Sequence, residues 1–195
     1  CSSIDTGPVA HWTLDSNQDA IAADSSGNNH DGHMDQYIPT SESPAPFVSD
    51  NVDSYSFDGT TNHYVNIPHD TAFNVGHITL STWVKLSSTT QTEGAGIICK
   101  GQGGGGEKWC LDITGGRYRF FLRNGGNVYA ISSEAAITTE WTHIVATYDG
   151  VNATIYINGK LDSSAAFDVP METNTHDITI GCRQLSDGDY DLCVN

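Results

Sequence analysis

The chain has 195 residues, with 24 acidic against 8 basic side chains and a formal net charge of -16 at pH 7. A surface that acidic repels the phosphates of nucleic acids and of anionic lipids, so cations, neutral glycans and basic groups are the partners it leaves. The length suits one domain that buries the facing sides of two sheets, and 37% hydrophobic content with 20 Gly describes a turn-rich β protein rather than a disordered chain.

The chain opens on Cys1-Ser2-Ser3. A lipidated cysteine followed by small polar residues is how a mature bacterial lipoprotein begins, so Cys1 is a candidate lipid anchor, with a free or cross-linking thiol as the alternative. Residues 1–8 are read as a tail able to carry that anchor, and 9–195 as one all-β domain. Residues 9–14 are predicted as the first strand. Residues 15–53 follow as a long polar stretch rich in Asp, Ser, Asn, Gly and Pro. A structureless run of that length inside a compact domain needs a reason, and a bound metal is the first to test.

Short β-branched and aromatic runs then recur between turn residues. Strands are predicted at 54–57, 64–67, 77–85, 96–100, 108–114, 118–123, 128–132, 142–148 and 153–157, with a short run at 160–161 and a last strand at 178–181. Alternation assigns faces: Leu80, Thr82 and Val84 point one way, and Thr79, Ser81, Trp83 and Lys85 the other. Asn158-Gly159 is the strongest hairpin signal, because a type I′ turn needs positive φ at both central residues. No window keeps helical periodicity. The expected fold class is all-β, a two-sheet sandwich or barrel.

Of five cysteines, Cys99 and Cys110 stand eleven positions apart, as do Cys182 and Cys193. Two local disulfides are the simple pairing among three, and they imply an oxidising, extracellular compartment. Each would stabilise by about 3 kcal/mol.

Three ordered stretches carry a family resemblance: His11-Trp12-Thr13-Leu14-Asp15 with Asp24-Ser25-Ser26-Gly27-Asn28-Asn29-His30-Asp31-Gly32; Ser56-Phe57-Asp58-Gly59 with Tyr64-Val65-Asn66-Ile67-Pro68 and 79–85; and Glu140-Trp141-Thr142-His143-Ile144-Val145 running through Asp149-Gly150 to Asn158-Gly159-Lys160. In this order they resemble the laminin-G-like domains of the concanavalin A-like lectin/glucanase superfamily. The resemblance implies a jelly-roll sandwich of two antiparallel sheets. It also implies a structural calcium ion on the loop after the first strand, held by Asp24, Asn28 and Asp31. Calcium takes six to eight oxygens from carboxylates, amides and carbonyls, while Asx-turn chemistry without metal accounts for the same residue types. The resemblance further implies a final strand beyond Ile180-Gly181-Cys182-Arg183 that pairs with the first. Asn195 falls short of it, which leaves an edge for self-assembly or for a strand from elsewhere.

Catalysis finds little support in the residue pattern. Glycoside cleavage needs two carboxylates across the sugar, and no strand has an E-x-D-x-E alternation. Asp187, Asp189 and Asp191 alternate in a glycine-containing segment between two cysteines, which reads as a loop or a second cation site. His143 alternates with Trp141, Val145 and Thr147 and is expected to pack, and Trp12, Trp83 and Trp141 are expected in the core. No H-E-x-x-H, nucleophile elbow or P-loop is present.

Binding finds more. Four of the eight cations, Lys108, Arg117, Arg119 and Arg123, fall between 108 and 129 beside Trp109, Phe121 and Tyr129. By period two, Arg117, Arg119, Phe121 and Arg123 share one face. The candidate ligand site is Trp109, Arg117, Arg119, Phe121, Arg123 and Tyr129, suited to a carboxylated or sulfated sugar. The alternative is a solvated face whose arginines pair with local Asp and Glu. The expected function is a calcium-stabilised extracellular module that binds a glycan or glycoprotein. A structural or adhesive subunit is the second reading, and a polysaccharide hydrolase or lyase the third.

Overall fold

The computed structural model describes residues 7–15, 20–34, 40–41, 53–185 and 189–195. The anchor expectation at Cys1 and the Asp187 position lie outside them.

One sheet has eight antiparallel strands in the order β1-β2-β5-β14-β7-β8-β9-β10. These are β1 (Ile21–Ala22), β2 (Gly32–Met34), β5 (Val65–Ile67), β14 (Ile178–Ile180), β7 (Ala95–Lys100), β8 (Trp109–Thr114), β9 (Arg117–Asn124) and β10 (Asn127–Ala136). The second sheet has the order β13-β12-β11-β6, built from β13 (Lys160–Ala166), β12 (Asn152–Ile157), β11 (Thr142–Tyr148) and β6 (Ile78–Val84). Two small ladders complete the fold: β3 (Thr40–Ser41) with β4 (Ser54–Tyr55), and β15 (Arg183–Gln184) with β16 (Tyr190–Asp191).

The core follows from alternation. Ile144, Ala146 and Tyr148 of β11 meet Leu111 and Ile113 of β8 and Tyr118, Phe120 and Leu122 of β9 in one buried cluster. Tight turns hold the register. Gly115-Gly116, Gly125-Gly126 and Asn158-Gly159 each have positive φ at both residues, and each links two strands of a hairpin.

Three expectations are corrected. Residues 9–14 form no strand; Trp12 makes one isolated bridge to Asp24 and donates its indole N–H to His30 O at 2.8 Å. The stretch 15–53 is not one loop, because β1, β2 and β3 lie within it. Trp12 packs against the core, but Trp83 and Trp141 are half-buried outside it, Trp83 on the outward side of the four-stranded sheet.

The two local disulfides are formed, Cys99–Cys110 and Cys182–Cys193. The second closes a lobe that folds over the eight-stranded sheet: Cys193 bridges Gly96, and Gly96 N donates to Leu192 O at 2.7 Å. The approach is close enough that a Cβ on Gly96 would stand 2.6 Å from Arg183 Cγ. This lobe explains why β8 is buried on both faces although its sequence alternates.

Candidate ligand-binding site

The outward face of the eight-stranded sheet is built row by row from strand register. Thr179, Cys99, Cys110, Phe121 and Ala130 are successive cross-strand partners, and Asp112, Arg119 and Ser132 form the next row. Phe121 is 2% exposed and lies against the Cys99–Cys110 disulfide. Three guanidinium groups frame its ring, with Arg119, Arg183 and Arg123 at 5.2, 5.6 and 5.7 Å from the centroid.

Two buried carboxylates stand between these cations. Asp112, 0% exposed, accepts from Arg119 Nε at 2.9 Å and Nη2 at 2.5 Å, and lies 3.5 Å from Arg183 Nη1. Glu107 pairs with Arg183 and lies 3.2 Å from Arg123 Nε. Burial pushes the Asp112 carboxyl upward, against the hydrogen bonds and charge of Arg119 and the charge of Arg183. The Asp112 carboxylate in turn holds the Arg119 guanidinium above its ordinary value. Three guanidiniums face two buried carboxylates, and a third carboxylate, Glu93, acts on Arg119. Arg117, next along β9, is exposed and donates to the carbonyls of Ser133 and Glu134.

The six sequence-predicted residues are thus divided. Arg117, Arg119, Phe121 and Arg123 share the outward face. Trp109 is 3% exposed in the core, and Tyr129 points inward, 5.9 Å from the Phe167 ring. Arg183, Glu107 and Asp112 were missed. Their signal was weak, since Arg183 is far away in sequence and nothing local marks the two acids as its partners. A separate polar pocket on the lobe is lined by Asn62, Tyr64, Asp189, Tyr190 and Asp191, with the two tyrosine rings stacked at 3.7 Å.

Asp24, Asn28 and Asp31 do come together. Asp24 Oδ1 accepts from the backbone N–H of His11 and Ser26, each at 2.9 Å, and Oδ2 accepts from His30 N at 2.9 Å and Ser26 Oγ at 2.8 Å. Asp31 Oδ1 accepts from Asp24 N at 2.7 Å, and Asn28 Nδ2 donates to Val9 O at 3.0 Å. Burial pushes the Asp24 carboxyl up, but these donors outweigh it and hold it at about 2. Calcium needs bare oxygens, and here N–H and O–H donors already fill both oxygens of Asp24. As placed, Asp24 has no bare oxygen to offer a calcium ion. Among the described residues no group of three or more His, Cys, Asp or Glu is placed to hold a metal.

A cleft of about 1070 Å³ opens beside β6, lined by apolar residues such as Phe57, Leu80 and Val84 and at its rim by Ser81, Trp83 and His143. Among the described residues, β6 pairs with β11 on one side only. The Trp109 indole N–H has no acceptor among the described residues.

Comparison with known proteins agrees with this architecture. No curated protein sequence matches the chain at a significant level. Among solved structures, the binding domain of Paraclostridial Mosquitocidal Protein 1 is similar with a TM-score of 0.69 at 16% identity, over 94% of this chain and 46% of that one. Domain 4 of AbnA, an extracellular arabinanase from Geobacillus stearothermophilus in complex with arabinotriose, has a TM-score of 0.69 at 18% identity, over 95% of this chain and 87% of that one. The Ruminococcus gnavus IT-sialidase CBM40 bound to alpha2,3 sialyllactose has a TM-score of 0.55 at 17% identity, over 64% of this chain and 73% of that one. The chain spans about half the length of the toxin binding domains it resembles, 46% and 47% for two of them. The family model described as the concanavalin A-like lectin/glucanases superfamily matches residues 58–192, and with its two antiparallel sheets the chain belongs to that superfamily.

Proposed function

We propose that the chain is a non-catalytic, extracellular carbohydrate-binding module that takes an acidic oligosaccharide on the outward face of the eight-stranded sheet. The observation that carries the reading is the gathering of Arg119, Arg123 and Arg183 around the buried Phe121, with exposed Arg117 two residues from Arg119 on β9. A guanidinium offers a planar fork to a carboxylate or sulfate, and all four arginines of a chain of -16 gather at this face. The nearest carboxylates, Glu107 and Asp112, are buried in ion pairs, which leaves neither free to act as acid or base on a sugar. Two disulfides support secretion. No helix among the described residues is long and apolar enough to cross a membrane. The names of the similar structures support sugar binding as the class of activity. The test is titration with sialyllactose and sulfated oligosaccharides. Binding that weakens about tenfold in Arg117→Glu supports the site, and indifference to that change, or no acidic ligand at all, refutes it.

A second reading rests on the edge of β6 that is unpaired among the described residues, and on the cleft beside it. An unpaired strand edge over an apolar cleft accepts an extended segment as an added strand, here one supplied by another copy of the chain. Sedimentation from micromolar to millimolar concentration tests this, and a monomer throughout would dismiss it.

A further inference from the structure

The outward side of the four-stranded sheet differs from the rest of the surface. Leu80, Ile144, Ala146 and Ile155 turn into the core, so their strand neighbours turn out. Trp83 and His143 are cross-strand partners, with rings stacked at 5.0 Å and 26°. One pleat further on, Val145 of β11 is flanked by Ser81 on β6 and Tyr156 on β12, and Tyr156 by Leu161 on β13, which is 64% exposed. Beyond that row lie Thr147, Thr154 and Ser164, whose hydroxyls continue the surface.

None of these side chains is a carboxylate, although the chain has 24. The one acid at this sheet's outer edge, Asp162, turns away and accepts from the backbone N–H of Glu134 and Ala135 at 2.6 and 3.1 Å. The platform is also preset. Ser81 Oγ lies 2.9 Å from His143 Nε2, and Asn158 Oδ1 accepts from His143 N at 2.9 Å. Burial keeps the imidazole low in pKa and thus neutral at neutral pH. Trp83 and Tyr156 are two strands and one pleat apart, about 12 Å, which is longer than a single sugar ring.

We propose that this face is a second binding site, for an uncharged glycan chain laid across Trp83, His143 and Tyr156. Aromatic rings take the apolar faces of sugars, and the surrounding hydroxyls exchange hydrogen bonds with sugar hydroxyls. Absence of charge is the complementarity. An anionic polymer meets a net charge of -16 with only Lys85 and Lys160 at the margins of this sheet to offset it, whereas a neutral chain meets no opposing charge. An apolar protein partner would strip water from the serine and threonine hydroxyls without replacing their hydrogen bonds.

The experiment is affinity electrophoresis and calorimetry with neutral polysaccharides: arabinan, galactan, mannan and mixed-linkage glucan. At least one is expected to bind. Trp83→Ala and Tyr156→Ala should each weaken that binding about tenfold or more. Trp83→Phe should restore most of it at an unchanged melting temperature, which separates ring stacking from damage to the fold. Val128→Thr, on the other sheet, should leave it unaltered. Binding that ignores both ring deletions, no binding to any of the four, or a dimer that Trp83→Ala dissolves, would each overturn the proposal; the last would make the face an interface between copies. Acidic oligosaccharides titrated against the same variants report on the arginine face separately, so either site can fail alone.

Discussion

At the scale of single residues, the chain's acids do their work by pairing. Glu107 is 1% exposed between Arg183 and Arg123, and removing its charge leaves Arg123 without its carboxylate and Arg183 with only Asp112, 3.5 Å away. Glu107→Gln is therefore expected to cost about 3 kcal/mol, read as a lower midpoint in urea. Asp24 accepts four hydrogen bonds, one from His11 that ties 9–14 to the loop and three from Ser26 and His30 within it, and Asp24→Asn should cost about 1–2 kcal/mol. Its carboxyl lies at about 2 when folded against 3.8 ordinarily. The stabilisation is thus complete above the unfolded value and fades as pH falls from near 4 towards 2. Melting curves of wild type and Asp24→Asn should converge over that window, and a gap that stays constant would mean that the charge is not what matters. Because the donors around Asp24 are already matched, EDTA is expected to leave the melting temperature within a degree. A fall of several degrees would bring calcium back.

At the scale of strands and turns, the C-terminal lobe is the element whose position matters most. It is clamped by the Cys182–Cys193 disulfide, by Arg183, and by the contact over Gly96. Gly96 needs no unusual φ but has no room for a Cβ, so Gly96→Ala should destabilise by about 1–3 kcal/mol through overpacking. It should also release Phe121, raising proteolysis after residue 183 before the body of the sandwich is cut. Unchanged digestion would show that the lobe is held by the disulfide alone. The alternation of β9 was legible in the sequence because period two needs no partner to be read, and Arg117, Arg119, Phe121 and Arg123 do share a face. Trp109 and Tyr129 were read by proximity along the chain instead. Cross-strand register places both opposite Leu122, which points into the core. The short strands within 15–53 were hidden because two- or three-residue ladders are made by their partners rather than by their own propensity.

At the scale of the whole molecule, the charge of -16 should make the fold salt-sensitive. Screening relieves self-repulsion, so the melting temperature should rise between about 10 and 150 mM NaCl, where the Debye length falls from about 30 to 8 Å. A flat or falling curve would show that the arginine–carboxylate pairs dominate over net repulsion. What the sequence determined by itself was everything that depends on local periodicity and turn chemistry: an all-β fold of sandwich or barrel type, the Asn158-Gly159 hairpin, the two local disulfides and the shared face of the β9 arginines. Only the tertiary structure decided which charges meet, which aromatic rings face solvent and how the lobe covers the sheet. Trp83 and His143 lie sixty positions apart, and Arg183 lies still further along the chain than its partner Glu107. Contacts at such separations are set by strand order and register, which the packing of two whole sheets selects and no local run of residues encodes.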